Sequence, residues 1–249
     1  MRILLTNDDG ILAPGIGAIY SELIKLGDVF VAAPASSMSG ASHSITFYEP
    51  LGCKEVRVGD KFTGYSVEGS PADCVKLAVM QLYDEPFDLV VSGINGGANA
   101  GINVYYSGTV AAAMEAAFLR IPAIAVSLAR EEHMDYEKAA KIALPFIRKL
   151  IDIHTGGVIN INIPRLSYGE PKGVRVVPQA VGGFNEYYEV IDQHDGERVY
   201  QLSGGEPGKE DKVADSNSLI SGYITITPLM ADMTDHDRLE SLKQDGLES

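Results

Sequence analysis

Short apolar runs and helical stretches alternate along the first two thirds of the chain, and no other feature restricts its fold as strongly. Strand-like runs at Ile3–Thr6, Val29–Ala33, Leu89–Ser92, Ala123–Leu128 and Val158–Ile163 are separated by helical patterns at Gly15–Leu26, Pro71–Tyr83, Thr109–Leu119 and Tyr136–Leu150. Near-continuous apolar strands are those covered on both faces, and strands alternating with helices build parallel βαβ units. The pattern predicts an α/β fold, a doubly wound, mostly parallel sheet with helices on both sides. Between Ser44 and Gly69 the alternating segments Glu55–Val58 and Phe62–Val67 flank Gly59 and Asp60, which reads as an inserted β-hairpin. After Pro164 the texture changes to strand-like stretches at Val174–Val177, Tyr187–Ile191, Arg198–Leu202 and Tyr223–Thr227, then a helix near Thr234–Lys243. The expected division is a core over residues 1–170 and a β-rich extension over 171–249 whose long hairpin suits contacts between copies.

Composition narrows the classes of function. A hydrophobic content of 45% supports a sizeable core. No apolar run is long enough to span a bilayer, and the first one is broken early by Asn7, Asp8 and Asp9, so neither a membrane span nor a secretory leader is expected. A cytoplasmic protein is the expectation. With 34 acidic against 20 basic residues and a net charge of −14, the chain lacks the basic balance that nucleic-acid polymers require. An anionic ligand then needs a local device, such as a cation or a helix amino terminus. Cys53 and Cys74 form no CxxC pair and read as small buried thiols.

Three predicted parallel strands run into loops rich in oxygen and amide groups, and parallel connection puts those loops on one rim, where α/β sheets bind ligands. The first carries Asp8 and Asp9; the second runs from Ala35 to Ser44; the third is Gly93–Gly101, with Asn95 and Asn99. Adjacent carboxylates at a buried sheet edge repel unless a proton or cation neutralises them. Carboxylates, hydroxyls and amide oxygens without thiols are the donors of Mg²⁺, Mn²⁺ or Ca²⁺. His43 reads as a hydrogen-bonding loop residue outside such a shell. The third loop spells neither a dinucleotide fingerprint nor a P-loop. Ser107, Gly108 and Thr109 open an Ala-rich helix and offer free N–H groups and two hydroxyls to a phosphate. Ser70, Pro71 and Asp73 read instead as a helix capping box. A metal loop and an anion cradle on one rim point to phosphoryl transfer.

The ordered motifs TNDDGI (Thr6–Ile11), Ser39–Gly40, HSIT (His43–Thr46), GSPADCVKLA (Gly69–Ala78), VVSGINGGANAG (Val90–Gly101), YSGTVAAAMEA (Tyr106–Ala116) and GYITITPL (Gly222–Leu229) resemble those of the SurE family, the survival-protein-E nucleotidases. The resemblance implies a Rossmann-like core with a carboxy-terminal extension exchanged in homodimers or homotetramers. It also implies a metal-dependent 5′-nucleotidase, or acid-type phosphatase, acting on nucleoside 5′- and 3′-monophosphates. By the same resemblance one Mg²⁺ or Mn²⁺ per subunit is held by Asp8, Asp9, Ser39 and Asn95, with Asp8 and Asp9 catalytic. Gly40, Asn99, Ser107, Gly108 and Thr109 are then the phosphate-binding positions. Two departures stand out. Ala35–Met38 replaces an Asp-Arg-x-Arg pattern of many relatives, which removes cationic groups near the anion, and Ala98 stands where many have Pro. A phosphorylated receiver domain also carries paired acids after its first strand, but its phosphoacceptor position is occupied here by Asn95 in a Gly-rich loop. A non-catalytic nucleotide or metal sensor would keep the cradle without turnover.

Overall fold

The computed structural model describes residues 1–151, 157–182, 184–194, 196–207 and 213–245. In chain order the elements are β1 (Arg2–Thr6), α1 (Pro14–Leu23), β2 (Asp28–Pro34), β3 (Cys53–Val58), β4 (Phe62–Val67), α2 (Pro71–Leu77), β5 (Leu89–Gly96), α3 (Asn103–Tyr106), α4 (Gly108–Phe118), β6 (Ala123–Leu128), α5 (Tyr136–Ile151), β7 (Val158–Ile163), β8 (Val174–Val176), β9 (Phe184–His194), β10 (Glu197–Pro207), α6 (Asp215–Ile220), β11 (Ile224–Leu229) and α7 (His236–Gln244). A π-helical turn over Ala78–Leu82 extends α2.

Nine strands form one sheet in the order β3-β4-β2-β1-β5-β6-β7-β11-β8. The run from β4 through β2, β1, β5 and β6 to β7 is parallel. The inserted hairpin β3–β4 is antiparallel within itself and extends this sheet at the β2 edge. At the other edge β11 lies antiparallel to β7 and parallel to β8, so two strands beyond residue 170 belong to the main sheet. Strands β9 and β10 pair with each other in a separate two-stranded sheet. The chain leaves β1 toward β2 and β4, then returns to β5 on the opposite side. The carboxyl end of β1 is therefore a topological switch point, the place where such sheets open a crevice.

Alternation along the strands sorts the core into two faces, because successive side chains point to opposite sides. Ile3, Leu5, Leu89, Val91, Ile124, Val126, Ile159 and Ile161 pack with Ile16, Ile19 and Leu23 of α1 and Ala140 and Ile147 of α5. On the opposite face Leu4, Val90, Ala123, Ala125 and Val158 meet Val75 of α2 and Ala112, Ala113 and Ala116 of α4. Ser92, Ser127, Asn160 and Asn162 are buried on this second face as well. Small residues let α4 lie close to the strands, and buried polar groups there require partners.

One sequence expectation changes. Cys74 is buried in α2, but Cys53 is exposed, because β3 is an edge strand whose other neighbour is solvent.

Candidate active site

The turn after β1 is built by Asn7, whose side chain is fully buried. Its Nδ2 donates to Gly10 O at 2.9 Å, and its Oδ1 accepts from Gly10 N at 3.2 Å. An Asx residue bonded in this way closes a tight turn. Asp8 and Asp9 are the two residues spanned by that closure. The second loop is tied to the same turn, since Met38 N donates to Asp8 O at 2.7 Å and Ile11 N to Pro34 O at 2.9 Å. Ser39 thereby follows directly on the residue bonded to Asp8, and its exposed hydroxyl lies 3.1 Å from that of Ser37. Gly40 stands in open surroundings with φ +74°.

Asp8 is only 3% exposed. The Thr109 hydroxyl donates to its Oδ1. Burial pushes the Asp8 carboxyl up from 3.8 to about 6; the Thr109 bond opposes that shift, and the Asp9 charge adds to it. Asp9 is half-buried and accepts from Gly96 N at 3.2 Å. Among the described residues neither aspartate takes part in an ion pair. Nor is any group of three or more His, Cys, Asp or Glu placed to hold a metal among the described residues. The charge at this rim is thus two carboxylates, accompanied by neutral oxygens. Asn95 commits its Nδ2 to Gly97 O at 2.7 Å, which leaves Oδ1 as the atom for a cation to meet. One or two carboxylates with neutral oxygens and room for substrate oxygens is the donor set that Mg²⁺ favours, so these residues fit a hard divalent cation.

The start of α4 is pressed against Asp8. A Cβ on Gly108 would lie 2.8 Å from Asp8 Cβ, 3.0 Å from Pro71 Cγ and 3.2 Å from Asp8 Oδ2, so only glycine allows this approach. Ser107 caps the helix, its Oγ accepting from Val110 N at 3.0 Å. Its O–H and the N–H of Gly108 face the helix's amino-terminal end, where the dipole favours an anion. Thr109 is fully buried, and its hydroxyl serves Asp8. Asn99 is also buried. Its Nδ2 donates to Ser127 Oγ at 2.8 Å, its N–H to Asn162 Oδ1 at 2.8 Å, and its carbonyl accepts from Asn160 and Asn162. The third loop is therefore anchored into the polar face of the sheet.

His43 bonds Glu115 at 2.9 Å and stacks on Phe118, and Lys76 reaches the other oxygen of Glu115 at 2.6 Å. The His43 bond, followed by Lys76, holds Glu115 below the usual carboxylate range despite its burial. The capping box of Ser70 and Asp73 forms as expected, and Asp73 also accepts from both the N–H and the hydroxyl of Thr46. Ser42 donates from N to Tyr106 O and from Oγ to Tyr105 O. The second loop is stitched by these bonds to α2, α3 and α4. Between this loop and α2 lies a cavity of about 370 Å³, lined by Ala35, Met38, Thr46, Val67, Glu68 and Ser70 among others and by no Lys or Arg. A hollow of about 420 Å³ between α1 and the start of α5 lies on the opposite, aliphatic side.

Sequence reasoning missed Tyr136. This residue opens α5 beyond β6, a fourth strand whose exit reaches the same rim, and its hydroxyl closes over Gly96. Burial, with the Asp9 charge second, pushes its phenol up. Following Leu128 to the next helix start would have found it.

Comparison with known proteins places the chain in a family. The family model described as "Survival protein SurE" matches residues 3–186. A protein of Rhodopirellula baltica named 5′-nucleotidase SurE is 43% identical over 247 residues, covering 98% of each chain. One of the same name from Desulfitobacterium hafniense is 45% identical over 246 residues, covering 98% of this chain and 96% of its own. The crystal structure of the SurE protein from Aquifex aeolicus superposes with a TM-score of 0.85 at 36% identity, covering 99% of this chain and all of that one. Fold, rim motifs and near full-length identity converge, and the chain belongs to the SurE family.

Proposed function

We propose that the protein is a divalent-cation-dependent phosphomonoesterase that hydrolyses nucleoside 5′-monophosphates, with 3′-monophosphates as further substrates. The carrying observation is the contact between Asp8 and the amino terminus of α4, which sets a buried carboxylate against an anion cradle. The printed names of the relatives support the nucleotidase reading. Asp8, Asp9, Asn95 and Ser39 are the residues to hold Mg²⁺ or Mn²⁺. Such a cation supplies charge neutralisation and Lewis-acid polarisation of the phosphoryl group.

The residues of the chain supply the rest. Ser107 O–H and Gly108 N–H bind the phosphoryl oxygens and stabilise charge that grows on them in the transition state. Thr109 holds one oxygen of Asp8, fixing which edge of the carboxylate faces the cradle. Asp8 or Asp9 accepts a hydrogen bond from the attacking water and takes its proton as the water oxygen bonds to phosphorus; the phosphorus–oxygen bond to the nucleoside breaks, and the leaving oxygen keeps that electron pair and takes a proton from solvent. The cavity beside Ser70 and Met38, with Glu68 and no Lys or Arg in its lining, leaves room for the uncharged nucleoside and supports monophosphates over more highly charged substrates. The exposed Tyr187, Tyr188, Ile191, Tyr200 and Leu202 of β9–β10 support assembly of copies through this hairpin, as an extension to the catalytic core.

The test is phosphate release from a panel of nucleoside 5′- and 3′-monophosphates with Mn²⁺, with Mg²⁺ and with EDTA. Release that needs metal and disappears in Asp8→Asn is the expected result. Binding of Mn²⁺ with no release from any member of the panel would turn the protein into a sensor.

A further inference from the structure

Asp215 is a fully buried carboxylate that the reaction does not use directly. Its Oδ1 accepts from Ala180 N at 2.9 Å and from Ser216 N at 2.7 Å, while its Oδ2 accepts from Gly101 N at 3.0 Å. The carbonyl of the same Gly101 accepts from Gln179 Nε2 at 2.8 Å. Both polar groups of one backbone residue are therefore held by side chains from the two roots of the β9–β10 hairpin, for Gln179 precedes it and Asp215 follows it.

Gly101 occupies a sensitive position. It ends the loop that carries Asn95, adopts φ +58°, and leads directly into α3. Tyr105 and Tyr106 of α3 hold Ser42 of the second loop, and the next residue is Ser107, the cap of α4. A shift of Gly101 would displace Asn95, Ser42 and Ser107 together.

Resting on the phosphatase reading above, we propose that Asp215, with Gln179, is a positioning residue that sets the anion cradle by gripping Gly101 from the base of the hairpin. The acceptor pattern makes the grip separable from the fold. An Asn at this position keeps one oxygen, which satisfies the two donors at Oδ1, and turns its NH₂ group against Gly101 N–H. Asp215→Asn thus cuts the arm to the site and leaves the arms to Ala180 and Ser216. Gln179→Leu cuts the other arm.

The experiment compares the full-length protein with Asp215→Asn, Gln179→Leu and Arg175→Gln. Arg175 holds Ser218 on the same short helix at 3.4 Å and stacks on Tyr223, without touching Gly101, so its variant reports general loosening of α6. Kinetics are measured well below each melting temperature, together with inorganic phosphate binding in Mn²⁺ and amide hydrogen exchange over residues 101–108. The expected result for Asp215→Asn is a kcat lower by about 10- to 100-fold with a smaller change in KM, the size of loss that displacement by about 1 Å produces. Phosphate binding weakens and exchange over 101–108 quickens in the same variant, while Arg175→Gln behaves as the unaltered protein. Wild-type exchange over 101–108 in Asp215→Asn, or an equal loss in Arg175→Gln, would overturn the proposal. Should the unaltered protein release no phosphate, the phosphatase reading fails, whereas exchange and phosphate binding still decide whether Asp215 sets the cradle.

Discussion

The two faces of the main sheet are made of the same strands and do different work. One is paved with Ile and Leu from β1, β5, β6 and β7 under α1 and α5. The other carries Ala, Ser and Asn at the alternate positions of those strands, under the Ala-rich helix α4. The first face buries more carbon, and α1 meets it closely at Gly15, where a Cβ would lie 2.1 Å from Ile94 O. The second gives up that burial, and in return α4 comes close enough for Gly108 to touch Asp8 and for Asn162 and Ser127 to hold the third loop. A sheet that must both stand and position a reaction can assign these tasks to opposite sides of each strand. The period of two along β1 makes the division, with Leu5 on one face and Leu4 on the other.

Substitutions on the two faces should therefore separate stability from activity. Gly108→Val puts branched carbon where Asp8 stands, and a loss of about 10³-fold in kcat/KM, roughly 4 kcal/mol, is expected without loss of fold. Steady-state kinetics alongside circular dichroism check this; near-normal turnover would show that α4 does not need its close approach. Ile161→Ala on the aliphatic face should cost about 2–5 kcal/mol of stability and leave kcat of the folded protein unchanged. Urea unfolding gives the first quantity, and a parallel fall in kcat at low temperature would erase the distinction between the faces. Asn162→Ala removes a buried amide that bonds both backbone groups of Asn99, so a loss of about 1–3 kcal/mol accompanied by lower kcat is expected.

The smallest effect concerns the rim of the second face. Glu115 binds its proton less readily in the folded protein than in the unfolded chain, because His43 and then Lys76 favour its charge. Its contribution is therefore complete above the unfolded carboxylate range and is lost as pH falls through the folded value. Glu115→Gln should lower stability by about 1 kcal/mol at pH 7. The difference in melting temperature from the unaltered protein should shrink only once pH falls below the unfolded carboxylate range, and a difference that stays constant through that range would remove charge as the source.

The parts legible in the sequence were those with a local signature. The parallel strands showed as apolar runs, Asp8 and Asp9 as acids at a strand end, and Ser70 with Asp73 as a capping box. His43 stood outside a metal shell because a single loop histidine has commoner uses, and it bonds Glu115. What was not legible depends on distance in sequence. Asp215 bonds Gly101 across 114 positions, and no spacing rule announces such a pair. Thr109 reads as a phosphate ligand from its place at a helix start, yet in three dimensions its hydroxyl faces Asp8. The joining of β8 and β11 to the main sheet was likewise hidden, because an antiparallel addition to a parallel sheet has no signature in strand composition. The short helices α3 and α6 span too few residues to show a period.

The closed base of the β9–β10 hairpin has a consequence for how this chain can be altered. Pro178 O and Ala180 N both bond Asp215, so the two roots are fastened to each other before the strands begin. Length added between β9 and β10 is borne by the hairpin alone, which makes that junction the place for a tag, a label or a fused domain. A single residue inserted between Pro178 and Ala180 has no such freedom, since it would put the register of the whole arm out of step with Gly101. The hairpin is a graft site whose tip is interchangeable and whose base is not.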